Sequence, residues 1–228
     1  MSAYQRKGIS TLSPAVSAVI SGMLYSSGAV AVIIQPLPNP VGTIAGEYYV
    51  SIGEGATPRD VNEEEITYNG NLKLFGNIAD ANAEGAVNGK TFDVSSKFTK
   101  NETSLFNVSI YAGYSNGNGD VTYNKLNFEG STDTQSTLLD KFYLYGGYSQ
   151  NGNANGNAMI SSGSIKAQND ITVYGGYSYN GSADSNSITI SGGELSANVV
   201  VNVYGGYSLS VSVNENKVTI SGWKLSSV

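Results

Sequence analysis

The segment ITVYGGYS at residues 171–178 decides the fold, because it recurs along the chain. It returns as VNVYGGYS at 201–208, and it is preceded by FYLYGGYS at 142–149 and by the looser VSIYAGYS at 108–115. The spacings between units are 34, 29 and 30 residues, measured at the tyrosine in the fourth position of each unit, namely Tyr111, Tyr145, Tyr174 and Tyr204. A period near thirty residues is typical of solenoid proteins, in which each repeat forms one structural unit.

Two further elements repeat in step with the first. NSITISG at 186–192 matches NKVTISG at 216–222, and weaker copies begin at Asn157 and Asn124. A third, shorter element carries apolar residues again spaced by 30, namely Ile165, Leu195 and Leu225. Each repeat therefore contains three short strands separated by Gly, Ser and Asn turns.

The strands alternate between apolar and polar residues. Ile171 and Val173 share one face of their strand, whereas Thr172 and Tyr174 share the other. A short strand cannot bury such a face alone, but stacking repeats about 4.8 Å apart buries it continuously. The sequence predicts an all-β fold, a parallel β-helix (β-solenoid) of about 30-residue repeats with three strands per turn. Ile188 and Ile190 are expected on one buried face.

One repeat departs from this spacing. Ile160 lies three residues after Asn157, whereas Ile190 lies four residues after Asn186. A slip of one residue turns every side chain to the opposite face of a strand. We therefore expect a one-residue slip in this repeat, absorbed by a loop or a bulge.

The chain divides into four segments. Residues 1–31 have a basic start, a weakly apolar run and small residues before a cleavage point after Ala31, the pattern of a secretory signal peptide. The alternatives are an uncleaved membrane anchor, although Ser, Gly and Pro dilute the run, and an ordinary soluble segment. Residues 32–59 are predicted to be a linker and the start of an N-terminal cap, residues 60–105 degenerate first repeats, and residues 106–228 regular repeats. We expect the last turn to be truncated at Val228, so that its open end frays or self-associates end to end.

Composition excludes several classes of function. The 228 residues include no Cys and no His, which excludes disulfides, thiol nucleophiles, zinc sites of the usual ligand set and Ser-His-Asp triads. The net charge is −6, and only Arg6 and Arg59 are arginines, so a nucleic-acid partner is not expected. We expect no cofactor and no metal.

Two sets of residues are candidates for a site. Tyr111, Tyr145, Tyr174 and Tyr204 are predicted to point outward as an exposed aromatic ladder, which either binds sugar rings or a protein or simply stabilises the stack. Asn157, Asn186 and Asn216 are predicted to form a structural ladder of hydrogen bonds at a turn. The glycine pairs are expected to mark a bend or a bulge.

The alternation of Tyr-Gly-Gly-Tyr-Ser and Ile-Ser-Gly units behind a signal-like N-terminus resembles the passenger region of bacterial type V autotransporters and related haemagglutinin-like surface adhesins. The resemblance covers residues 105–228, with a weaker tail back to about residue 70. It implies export, a C-terminal outer-membrane barrel that we expect outside residues 1–228, and display of a β-helical stalk. The expected location is the cell surface or outer membrane, or the medium after secretion. The expected function is non-catalytic attachment to a host or bacterial cell-surface protein or glycan.

Two alternatives share the predicted fold. A lyase or hydrolase acting on polysaccharides needs clustered carboxylates with Lys or Arg nearby. The acidic residues of the repeats are instead scattered along the sequence, at Asp120, Asp140, Asp170, Asp184, Glu194 and Glu215. A phage or viral fibre would have the solenoid without a signal peptide.

Overall fold

The computed structural model describes residues 43–49, 61–62, 65–79, 86–100, 106–132, 139–222 and 224–227. These ranges form seventeen β-strands and no helix, so they hold no helix that could cross a membrane. The predicted all-β class is confirmed, and the predicted signal peptide lies outside the described residues. The strands are β1 (Thr43–Tyr49), β2 (Glu65–Ile78), β3 (Val87–Asn88), β4 (Thr91–Val94), β5 (Lys97–Lys100), β6 (Asn107–Ser115), β7 (Val121–Thr122), β8 (Lys125–Phe128), β9 (Ser131–Thr132), β10 (Leu139–Ser149), β11 (Ala158–Ser161), β12 (Ile165–Ser178), β13 (Ser187–Ile190), β14 (Glu194–Ala197), β15 (Val200–Ser208), β16 (Lys217–Ile220) and β17 (Lys224–Ser227).

The strands stack in parallel into three faces of a β-solenoid. One face, called the tyrosine face, joins β1, β2, β6, β10, β12 and β15. A second face joins β4, β8, β11, β13 and β16, and a third face contains β5, β9, β14 and β17. The long strand β12 turns a corner, because its residues 165–167 pair with β14 on the third face while residues 170–178 pair with β15 on the tyrosine face. The predicted β-solenoid with three strands per turn is therefore confirmed; each turn is called a rung below.

The strand register reproduces the sequence repeat. Tyr174 pairs with Tyr145 on one side and with Tyr204 on the other, and Tyr145 pairs with Tyr111. The degenerate copy is a rung as well, because Phe75 pairs with Tyr111. Strand β1, in the segment predicted to be linker and cap, pairs with β2 and extends the sheet upstream of residue 60.

The expected slip after Asn157 is wrong. Met159 pairs with Ile188, and Ser161 pairs with Ile190, so the two strands keep one register. Ile160 pairs with Thr189 and is only half-buried, on the outer side. A small residue, Ser161, has replaced the second core residue of this strand, and the apparent shift in the sequence came from an isoleucine on the outside.

The core runs along the inside of the solenoid and is built by the period-2 alternation. Ile171, Val173, Ile188 and Ile190 are all fully buried, as are Ile165 and Leu195 on the third face. Each such side chain contributes about 1.5–3 kcal/mol when it is removed from water. The equivalents on β16, Val218 and Ile220, are 43% exposed, because in the described residues β16 has a neighbour on one side only. Burial of each rung therefore comes from the rungs on both sides of it.

Candidate binding surface

The tyrosine face carries a column of stacked rings on its outer side. The ring centroids of Tyr111 and Tyr145 are 4.5 Å apart, those of Tyr145 and Tyr174 4.9 Å, and those of Tyr174 and Tyr204 5.3 Å. The planes of these neighbours differ by 10–14°. Phe75 continues the column at 5.1 Å from Tyr111. Parallel strands in register place equal side chains above one another, which is why the rings stack.

A second column of tyrosines runs beside the first. Its members are the last tyrosines of the repeat units, Tyr114, Tyr148, Tyr177 and Tyr207, with centroids 5.0, 5.0 and 5.4 Å apart. Their planes differ by 3–14° along the column. Between columns the rings meet edge to face, as in Tyr174 and Tyr177 at 5.2 Å and 80°. The two columns together are called the tyrosine strip.

Sequence reasoning missed the second column because strict alternation puts Tyr177 on the opposite face from Tyr174. The two glycines between them change this. Gly175 and Gly176 each lie so close to other atoms that an added Cβ would come within 2.4 Å of a backbone or side-chain oxygen. The glycine pair therefore lets the strand pack against its neighbours without side chains while both tyrosines reach the outer surface. The signal for the second column in the sequence was the last tyrosine of each unit, which repeats in all four units.

The prediction that the first column is exposed fails for half of its members. Tyr111 is 8% exposed and Tyr145 9%, whereas Tyr174 is half-buried and Tyr204 is 36% exposed. Rings above and below cover the two faces of Tyr145, and Tyr148 packs edge-on beside it at 5.8 Å. The inner tyrosines thus stabilise the stack, and the surface of the strip is formed mainly by the half-buried second column.

Burial raises the pKa of phenols in the middle of the strip. It raises the pKa of Tyr145 above its ordinary value of 10.0, and the neighbouring tyrosines, Tyr111 first, raise it further. Burial also raises the pKa of Tyr148 and of Tyr177, with smaller contributions from adjacent tyrosines. Tyr145, Tyr148 and Tyr177 are therefore uncharged at neutral pH.

The strip presents ring edges and hydroxyl groups to a partner. Ring faces inside a column are covered by the neighbouring rungs, so stacking of a sugar on a ring face is confined to the ends of the columns. An exposed amide ladder follows the strip in the chain, in which Asn180 Nδ2 donates to Asn151 Oδ1 (2.7 Å) and Asn151 Nδ2 donates to Asn118 Oδ1 (3.1 Å). The Tyr148 hydroxyl donates to Gln150 Oε1 at 2.7 Å. This composition suits hydrogen bonding to a polar ligand.

The predicted asparagines form a buried ladder inside the corner after the tyrosine face. The Oδ1 of Asn157 accepts the backbone N–H of Asn124 (2.9 Å), that of Asn186 accepts the N–H of Asn157 (2.8 Å), and that of Asn216 accepts the N–H of Asn186 (2.8 Å). Asn124 belongs to the same ladder and was not among the predicted residues. Three members, Asn124, Asn157 and Asn186, are buried. These amide hydrogen bonds are all made between residues of the chain.

The corner has the same backbone shape in every rung. The residue before each ladder position has positive φ: Gly89 (63°), Tyr123 (57°), Gly156 (67°), Ser185 (55°) and Glu215 (54°). This left-handed conformation is unfavourable for residues with a side chain. The asparagine ladder holds it in place by satisfying the backbone groups of the turn.

The second glycine of each unit leaves room for the ladder. An added Cβ on Gly147 would lie 2.5 Å from Cγ of Asn157, and one on Gly176 would lie 2.4 Å from Oδ1 of Asn186. The rung of β2 has a different residue at this position, because Asn77 stands where the other rungs have the second glycine and pairs with Gly113 on the tyrosine face. Lys90 stands in the ladder position of that rung, and its N–H donates to Asn124 Oδ1 (3.2 Å). Glycine and asparagine therefore occur as a pair within one rung.

The acidic residues of the repeats contact the neighbouring rungs. Asp170 pairs with Lys141 (2.9 Å) and Glu194 with Lys166 (3.7 Å), while Asp120 accepts the N–H of Asn153 (2.7 Å). A depression of about 280 Å³ on the second face is lined by Asp93, Val94, Ser95, Asn127 and Glu129, and the Asn127 amide donates to Asp93. Among the residues that the structure describes, no group of three or more Asp and Glu is arranged to hold a metal ion.

Comparisons with known proteins identify no relative of this chain. Against protein-family models, curated proteins and solved structures, the chain finds no match.

Proposed function

We propose that the chain is a non-catalytic, surface-displayed or secreted β-solenoid segment that attaches cells to a surface protein or glycan through the tyrosine strip. The observation that carries the proposal is the strip itself, eight tyrosines in two columns beside an exposed amide ladder. Tyrosine supplies a large contact area at a low cost in conformational entropy, and its hydroxyl supplies a hydrogen bond. An autotransporter-like passenger is the class of protein in which such a segment is expected.

Binding by the strip is tested with the full chain, labelled and added to intact cells. In the variant Tyr177→Phe/Tyr207→Phe the rings stay stacked while two surface hydroxyls are lost, so the fold is retained. Two lost hydrogen bonds at about 0.5–1.5 kcal/mol each weaken binding by about 5-fold to 150-fold. The matched control is Tyr123→Phe/Tyr179→Phe, because these tyrosines are 73% and 44% exposed and take no part in the two columns. Equal binding by the two variants would refute the role of the strip.

The class of partner is separated by treating the cells before binding. Loss of binding after protease treatment indicates a protein, and loss after glycosidase treatment indicates a glycan. Release of products from acidic polysaccharides by the chain would instead support the enzyme alternative.

Export and display are tested on the cells that produce the chain. We expect an antibody to the repeats to label intact cells, or to detect the chain in the medium. Detection only after cell lysis would contradict the surface assignment.

A further inference from the structure

The second column of the tyrosine strip places phenol rings of adjacent rungs next to one another in a nearly parallel stack. Tyr148 and Tyr177 have centroids 5.0 Å apart and planes that differ by 3°, and Tyr177 and Tyr207 follow at 5.4 Å and 14°. Because the strands are in register, each tyrosine of the column lies directly beside its equivalent in the next rung. Within the column the rings are nearly parallel, whereas their contacts with the first column are edge to face, so the in-column neighbours are held in proximity for a reaction between rings.

The second column is also more open than the first. Tyr114, Tyr148, Tyr177 and Tyr207 are half-buried, whereas Tyr111 and Tyr145 are buried beneath neighbouring rings. A half-exposed ring can tilt toward its neighbour and can transfer an electron to a reagent in solution. The chain has no cysteine that would compete for a one-electron oxidant.

We infer that the second column is a site of oxidative tyrosine–tyrosine cross-linking between adjacent rungs, with hydrogen peroxide and a haem peroxidase as the oxidant. Each of two neighbouring phenols gives one electron to the oxidant and its hydroxyl proton to water. The two phenoxyl radicals then form one carbon–carbon bond between the ring positions next to oxygen. The hydrogens displaced from those carbons return as protons to the oxygens, which restores both aromatic rings. Overall two hydrogen atoms are lost per cross-link, and one hydrogen peroxide is reduced to two waters.

The products are mapped on the full chain. After peroxidase treatment, we expect dityrosine fluorescence and a mass loss of two hydrogen atoms for each cross-link. Proteolysis and mass spectrometry should join Tyr148 to Tyr177 and Tyr177 to Tyr207, with a yield per chain that does not change on dilution. Tyr123 is the internal control, since it is 73% exposed but lies outside the columns. Cross-links that map mainly to Tyr123, or a yield that falls in proportion to protein concentration, would overturn the inference.

A variant gives an independent readout. Tyr177→Phe keeps the ring in the stack and removes the reactive phenol from the middle of the column, so both of these cross-links disappear while the circular dichroism spectrum stays the same. In the unaltered chain each cross-link closes a loop of about thirty residues and restricts the unfolded chain, so the urea midpoint rises after oxidation. An unchanged midpoint in a fully cross-linked sample contradicts a bond between folded rungs. The inference does not depend on the proposed attachment function, because neither readout uses a binding partner.

Discussion

Replacing Asn157 by alanine tests the part of the structure that joins the rungs most directly. Asn157 is fully buried, and its side chain serves two backbone groups of the preceding rung. Its Oδ1 accepts the N–H of Asn124 at 2.9 Å, and its Nδ2 donates to the carbonyl of Val121 at 2.7 Å. Asn157→Ala removes these two bonds and the two longer amide–amide bonds with Asn124 (3.2 Å) and Asn186 (3.3 Å), while leaving the backbone N–H that donates to Asn186 in place.

The expected loss follows from those two groups. A buried donor or acceptor left without a partner costs about 1–3 kcal/mol, so the free energy of unfolding should fall by about 2–6 kcal/mol. The matched control is Asn151→Ala, since Asn151 also links three successive rungs through Asn118 and Asn180 but does so on the exposed surface. Water can replace those bonds, and the expected change is within about 0.5 kcal/mol.

Urea unfolding followed by circular dichroism measures both variants, with the midpoint and the slope fitted together. A large loss for Asn157→Ala and a small one for Asn151→Ala support the argument from burial. Equal losses in the two variants would show that position in a ladder, and not burial of the orphaned backbone groups, determines the cost.

Three further predictions concern the same rungs. Gly147→Ala places a Cβ against the Asn157 amide and should lower the free energy of unfolding by about 1–3 kcal/mol in urea titrations, and by less when Asn157 is already alanine. Burial raises the folded-state pKa of Tyr145 and Tyr148 above 10.0, so the unfolded chain loses these protons at a lower pH than the folded chain. The contribution of these phenols to stability is therefore complete below pH 10 and should fall as the pH rises above 10. Urea midpoints measured across that pH range check this. Ser178→Ala removes a buried hydroxyl that donates to the Gly152 carbonyl and accepts the Gly181 N–H, each at 2.7 Å, and should lower the thermal midpoint by an amount equivalent to about 1–3 kcal/mol.

The repeat in the sequence was sufficient to predict the rungs, the three faces and most of the core. The repeat was less reliable as a guide to the core where a polar residue occupies an inner position, as Ser161 does opposite Ile190. The spacing in the sequence aligns Ile160 with the buried Ile190, whereas Met159 and Ser161 occupy the inner positions. Hydrophobicity is a good guide to the inner face only when every inner position is apolar, and a buried serine breaks that correspondence.

The sequence by itself determined which residues are equivalent, because a period of about thirty residues fixes the spacing of Tyr111, Tyr145, Tyr174 and Tyr204. The tertiary structure decided what those equivalences produce. Two tyrosines three residues apart share one surface because the two small residues between them, Gly175 and Gly176 or Ala112 and Gly113, both pack against the rest of the solenoid. The inner rings are buried because stacked neighbours cover them, and the asparagines satisfy backbone groups because each lies beside the next rung. Such contacts are made between residues about thirty positions apart, so their geometry exists only after the rungs have stacked.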